Sequence, residues 1–207
     1  MARPSGPDVE SRHLLEFAVK AAETFVSAYY QAADSPQRLQ ILPTLYLADS
    51  SIVWNGNPIS GNQEFAALLQ QMPSTKHDVQ SFDCHPLGGG QQAPNMWQVP
   101  SLMLTVSGVV THHTPDSISA QPVSNAPKAA TSTGKGKGKA RGGGSAPQNW
   151  VDAPIDSLPR AFSQSFVLVN LPQEDGGVNC SGGDNKGGMQ PLVGKFFVQA
   201  DNVRFVG

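Results

Sequence analysis

Asp83, His85 and Asp201 are the residues of this 207-residue chain whose types best suit general acid–base chemistry. Asp83 and His85 stand two apart in the string DCHP, so on a regular strand they share a face. Asp201 lies on a later extended stretch, QADNVRF. An aspartate or histidine held in a closed cavity can act as the base in a dehydration or isomerisation. Paired or edge-bound polar residues would give the same pattern. His77, His85, His112 and His113 fall on or at the ends of predicted strands, and the chain has no CxxC and no HExxH spacing, so no metal is expected. Cys84 and Cys180 are the two cysteines and read as unpaired thiols in a reducing compartment. GKGKGKARGGG is rich in glycine and lysine but lacks the GxxxxGK[ST] spacing of a phosphate-binding loop, and no GxGxxG opens a helix. No cofactor is predicted.

A second kind of chemistry is electrostatic. Lys128, Lys135, Lys137, Lys139 and Arg141 form a cluster of five cations with no acid between them, whereas the whole chain carries −2; the remainder therefore carries −7. A cationic segment on an acidic body suits sequence-independent, salt-sensitive phosphate contact, here predicted with RNA. No aromatic residue is interleaved before Trp150, which argues against base stacking within the cluster.

The elements that position these residues follow from periodicity. Residues 1–10 read as a loose tail and 11–207 as a single domain. Leu14, Phe17, Ala18, Ala21, Phe25, Ala28 and Tyr29 recur at helical spacing, with Ser11 as a candidate cap. A second helix is predicted from Ser35-Pro36, carrying Leu39, Leu42 and Leu45, with Pro43 forcing a kink or a shorter element. Ile52, Val53 and Trp54 suit a strand, and Asn55-Gly56-Asn57-Pro58 is turn chemistry. Ser60 and Gln63 predict a capping box for a third helix bearing Phe65, Leu68, Leu69 and Met72, ended by Pro73. Extended segments follow at 76–87, 97–112, 160–171 and 193–206. Two stretches interrupt them: a low-complexity insert at about 113–157 and a Gly-rich loop at 173–191, both read as enlarged hairpin loops, because closure cost grows slowly with loop length. Helices followed by a run of antiparallel strands give an α+β fold, three N-terminal helices packed on a strongly bent, mostly antiparallel sheet. No apolar run approaches the roughly 20 residues of a membrane helix, and the N-terminal stretch has no apolar core of the signal-peptide kind.

On the last strand Phe197, Val203 and Phe205 are predicted to pack beneath the helices, leaving Val198, Ala200, Asn202 and Arg204 on the opposite side. On the preceding strand Phe162, Gln164, Phe166 and Leu168 point one way, and Ser163, Ser165, Val167 and Val169 the other. An open face of small and branched residues with one arginine is the composition of a protein interface, an apolar centre with a directional charge.

The strings FVSAYY, LYLADSSIVWNGNPISG, MPS, DCHP, FSQSF and ADNVRF together resemble the small subunits of messenger-RNA export receptors, members of the nuclear transport factor two-like family, and the two inserts make the chain similar to fungal members. The resemblance spans about Leu14 to Phe205 outside the inserts. It implies a cone-like fold with no enzymatic activity. It also implies a heterodimer formed through the sheet face with the similar domain of a large subunit. Arg204 matches the family's arginine that pairs with an acid of that partner, and Asn202 matches a second interface position. Further implied are carriage of mRNA and large ribosomal subunits through nuclear pores, contact with FG-repeat nucleoporins through the heterodimer, RNA or pre-ribosomal contact by the basic loop, and shuttling between nucleus, pore and cytoplasm, with no membrane association. The rival expectations are a cavity enzyme of the same fold using Asp83, His85 and Asp201, and a homodimeric import carrier of the GTPase Ran.

Overall fold

The computed structural model describes residues 7–93, 96–113, 158–182 and 191–206. The chain opens with helix α1, Pro7–Ala33, so the span expected to be a tail to residue 10 is helical from Pro7 onward. Proline fits this first position because its missing N–H has no helical partner there. Helix α2, Arg38–Ile41, passes into a 3-10 turn, Leu42–Leu45, with Pro43 at the junction, as its missing donor requires. The Ser35 hydroxyl accepts from the Gln37 N–H at 3.0 Å. Strand β1, Tyr46–Trp54, and strand β2, Asn57–Ser60, are joined by Asn55 and Gly56 at φ 49° and 92°, the two positive values that a tight two-residue hairpin demands. Pro58 is tolerated in β2 because that strand is the sheet's edge.

Helix α3, Gly61–Gln71, is capped differently from the expected Ser60–Gln63 box. The Glu64 carboxylate accepts the Ser60 N–H at 2.8 Å, and the Ser60 side chain makes no cap bond. A charged acceptor one residue later forms the stronger bond. At its other end, Arg38 donates to the carbonyls of Pro73, Leu69 and Met72, satisfying the last orphaned acceptors and tying α2 to α3.

Strand β3, Ser74–Leu87, is followed by a small hairpin of β4, Gly90–Ala93, and β5, Met96–Gln98, and then by β6, Ser101–His113. The single strand expected over 97–112 is thus interrupted at Val99-Pro100, where proline removes a ladder donor. Strands β7, Arg160–Asn170, β8, Val178–Gly182, and β9, Leu192–Val206, complete the chain. The order β2-β1-β9-β7-β6-β3 contains the expected antiparallel meander, and β1 lies parallel beside β9. The span 173–191, expected as a loop, includes β8. Its Val178 and Cys180 are buried while the strand pairs with β9. The run VNCSG is too short and too close to glycines to announce itself; Gly176 and Gly177, both at positive φ, turn the chain back, and the Gly177 N–H donates to the Thr44 carbonyl.

The core lies between α1 and the inner sheet face. Phe17, Phe25 and Tyr29 meet Phe196 and Phe166, with Leu102, Leu104 and Leu168 behind them. Bulges at Gln80 in β3 and near Gln199 in β9 bend the sheet around this core without closing it. Among the described residues no helix is long and apolar enough to cross a membrane.

Candidate partner-binding sheet face

The face turned away from α1 is assembled by strand register. Ser163 stands opposite Arg204, Ser165 opposite Asn202 and Val167 opposite Ala200. Strand β6 extends each row, with Ser107, Thr105 and Met103 beside Ser163, Ser165 and Val167. On the other flank β1 sets Val53 beside Asn202 and Ser51 beside Ala200. Residues opposite one another across a ladder share a face, so these form one surface. Ser163, Ser165, Asn202 and Arg204 are exposed, and Val167 and Ala200 are half-buried.

Val198 is not part of it. Alternation predicts it beside Ala200 and Arg204, but it is fully buried in the core. The register passes from Val167–Ala200 to Leu168–Val198, so Gln199 is an extra residue in β9 and the alternation reverses there. Inward residues are Phe196 and Val198 before the bulge and Asp201, Val203 and Phe205 after it. Phe197, expected beneath the helices, is buried on the opposite side, where Gly177 approaches so closely that a side chain at 177 would overlap its ring. Val203 is buried as expected, and Phe205 is half-buried edge-to-face against Trp54.

Arg204 lies with its guanidinium against Gly56 of the β1–β2 turn, where no side chain competes for the space. Among the described residues it has neither a hydrogen bond nor an ion pair. Met103, Thr105 and Ser107 alternate with the buried Leu102, Leu104 and Val106 along β6, and the register with β7 puts them on the same surface as Arg204. Met103 is 40% exposed and is the largest apolar side chain of that row.

The three residues considered for acid–base chemistry are not brought together. Asp83 and His85 are exposed on the outer face, opposite Thr105 and Met103. Asp201 is buried on the inner face. There the Tyr46 hydroxyl donates to Oδ2 at 2.7 Å, and Gln164 Nε2 lies 3.0 and 2.9 Å from Oδ1 and Oδ2. Tyr30 donates to Gln164 Oε1 at 2.8 Å, and the Tyr29 and Tyr46 hydroxyls are 2.7 Å apart. Burial pushes the Asp201 carboxyl up to about 7 against the pull of those bonds; burial and the Asp201 charge hold the Tyr29 and Tyr46 hydroxyls well above their usual range. Beside the network, a cavity of about 30 Å³ lies between Trp54, Phe65, His112 and Phe205. That is the space of a single water, not of a substrate.

The other histidines have structural neighbours. His77 Nδ1 is 2.6 Å from Asp34 Oδ1, the His77 backbone N–H donates to Oδ2 at 2.7 Å, and the ring sits against Tyr30 and Phe162. Burial raises the Asp34 carboxyl, but the bonds from His77 and Thr75 outweigh this and hold it below its usual range. His112 packs edge-to-face on Phe205 and is shifted down by burial and nearby cations, whereas His113 is exposed. Lys128, Lys135, Lys137, Lys139 and Arg141 lie outside the described residues.

A family model described as "Nuclear pore RNA shuttling protein Mtr2" matches residues 17–93, which run through most of α1, the β1–β2 hairpin, α3 and all of β3. "NTF2-related export protein 1" of Bos taurus is 37% identical over 34% of this chain and 49% of its own length. The chain therefore spans about half the length of that relative. "NTF2-related export protein 2" of Mus musculus is 32% identical over 49% of this chain and 68% of its own length. Among solved structures, one described as "Chaetomium thermophilum Mex67 NTF2-like domain complexed with Mtr2" is similar with a TM-score of 0.50 at 16% identity, covering 91% of this chain and 98% of the other, and shares the fold. With a helix-backed, bent sheet in place and a third of the residues identical over two thirds of the mouse protein, the chain belongs to the NTF2-related export protein family.

Proposed function

We propose that this chain is the small, non-enzymatic subunit of a nuclear export receptor and pairs through its outer sheet face with the NTF2-like domain of a larger, Mex67-type subunit. The observation that carries this reading is the face itself: a surface of serine, threonine and small apolar side chains holding one arginine with no partner among the described residues. On β6, β7 and the end of β9 from Ala200, Arg204 is the one charge of this face among the described residues, and an uncovered sheet face normally carries more. The nearly filled interior supports binding over catalysis. In a similar solved structure the Mex67 NTF2-like domain is complexed with Mtr2, which supports a pairing of this kind for the present chain. Arg204, Asn202, Ala200, Ser163, Ser165 and Val167 are the proposed contacts.

In this reading the heterodimer shuttles between nucleus and cytoplasm, carries mRNA and large ribosomal subunits, and meets FG-repeat nucleoporins. Lys128, Lys135, Lys137, Lys139 and Arg141 contact RNA through its phosphates. The test is co-expression with the large subunit's NTF2-like domain, read by size-exclusion chromatography, for the wild type and Arg204→Glu. A one-to-one complex that the variant loses is the expected result. A wild-type chain that pairs only with itself would return the homodimeric carrier, and one that stays alone would refute the pairing.

A further inference from the structure

Arg204 is not the only charge on the outer face without an ion-pair partner among the described residues. Asp83 is exposed on β3, opposite Thr105, in the row that runs Asn202, Ser165, Thr105, Asp83 across the sheet. Met103 and His85 form the next row beside it, following Ala200 and Val167. The two other charges on the outer side of β3, Lys76 and Asp78, stand two residues apart and offset one another.

From β9 to β3 there are three strand spacings, about 14 Å. That exceeds the screening length of about 8 Å at physiological ionic strength, so Arg204 and Asp83 do not neutralise each other. A protein interface of ordinary size covers about 800 Å² of each partner, a patch about 28 Å across. Centred on Ser165 and Thr105, such a patch covers both charges. A charge taken out of water without a counter-charge is strongly disfavoured, so a partner that covers both must answer each.

We infer that the sheet face carries a second charge contact besides the one proposed at Arg204: the partner sets a lysine or arginine against Asp83, with Ser165 and Thr105 lying between the two charges and Met103 as the apolar contact in the adjoining row. This rests on the sheet-face pairing proposed above and deepens it: Asp83, considered from the sequence as a base, becomes a determinant of partner choice. A partner with an acid at both positions would be rejected at the β3 end even though it satisfied Arg204.

The experiment is calorimetric titration of the full chain with the NTF2-like domain of the Mex67-type large subunit from the same organism, using wild type, Asp83→Asn, Arg204→Gln and the double variant. Thermal unfolding of each chain alone establishes that it is folded. Asp83→Asn is expected to weaken binding about tenfold at low salt and less at high salt. The double variant is expected to show the product of the two single fold-changes, because the sites are more than 10 Å apart. If Asp83→Asn binds like the wild type while Arg204→Gln is weakened, the second contact is wrong and the pairing stands. If the wild type does not bind, the pairing and this inference fall together.

Discussion

Asp201→Asn should remove a pH dependence of stability from this protein. The carboxyl is buried on the inner side of β9, among Tyr46, Gln164, Tyr29 and Tyr30, and burial is the main cause that moves it from 3.8 to about 7. A folded-state value above the unfolded one means that the fold holds the proton more tightly. The stability this confers is fully present below about pH 4 and is lost as pH rises through 7. A displacement of this size is worth about 4 kcal/mol between the two protonation states. Asparagine keeps the shape: its oxygen can accept from Gln164 Nε2, and its amide can donate to the Tyr46 hydroxyl, which already lies beside Tyr29. It carries no charge at any pH. Urea unfolding of both chains from pH 4 to pH 8 gives a difference curve in which every other group cancels. Between those limits the wild type should lose about 4 kcal/mol relative to the variant, or roughly 8–16 °C in melting temperature for a chain of this size. A flat difference curve would refute the reasoning, because it would mean that the tyrosine and glutamine bonds fully compensate an ionised carboxylate in the core.

Three further outcomes are expected. Val198→Asp should destabilise the chain by about 3 kcal/mol or more by burying an unpaired carboxylate, whereas Ala200→Asp should change stability by about 1 kcal/mol at most and abolish heterodimer formation; equal effects in thermal melts would contradict the bulge at Gln199. Asp34→Asn should cost about 2 kcal/mol through loss of charge-assisted bonds to His77 and Thr75. Because that carboxyl is held below its usual range, the difference should be present above about pH 5 and vanish as pH falls through the folded-state value, as chemical unfolding across pH would reveal. Replacing Lys128, Lys135, Lys137, Lys139 and Arg141 with glutamine should lower the slope of log affinity against log salt for single-stranded RNA by up to about 3.5; filter binding at several salt concentrations measures it, and an unchanged slope would remove the cluster from RNA contact.

Much of the architecture was legible because it is written in short-range chemistry. Asn55-Gly56 can only serve a tight hairpin, Pro43 and Pro73 stop their helices, and the alternation from Phe162 to Leu168 states which side of β7 is buried. Where the reading missed, the cause was a local exception: a proline at position 100 that interrupts a strand, a glutamate at 64 that outcompetes a glutamine for a cap, a five-residue strand hidden between glycines. The candidate face was half legible. Ser163, Ser165, Val167, Ala200, Asn202 and Arg204 came from alternation, but Val198 was placed with them because an alternating pattern carries no mark of the residue at which a strand bulges.

By itself, the sequence determined the element types, the turn, the α+β class and the chemistry available on each strand side, since these depend on neighbours within a few residues. The tertiary structure alone decided that β1 lies parallel beside β9, that Met103 and Asp83 share a surface with Arg204, and that Asp201 faces tyrosines from α1 and β1 and not His85. Those relations depend on ladder register and on bulges, which are set by packing between segments far apart in the chain and leave no periodic trace within any one of them.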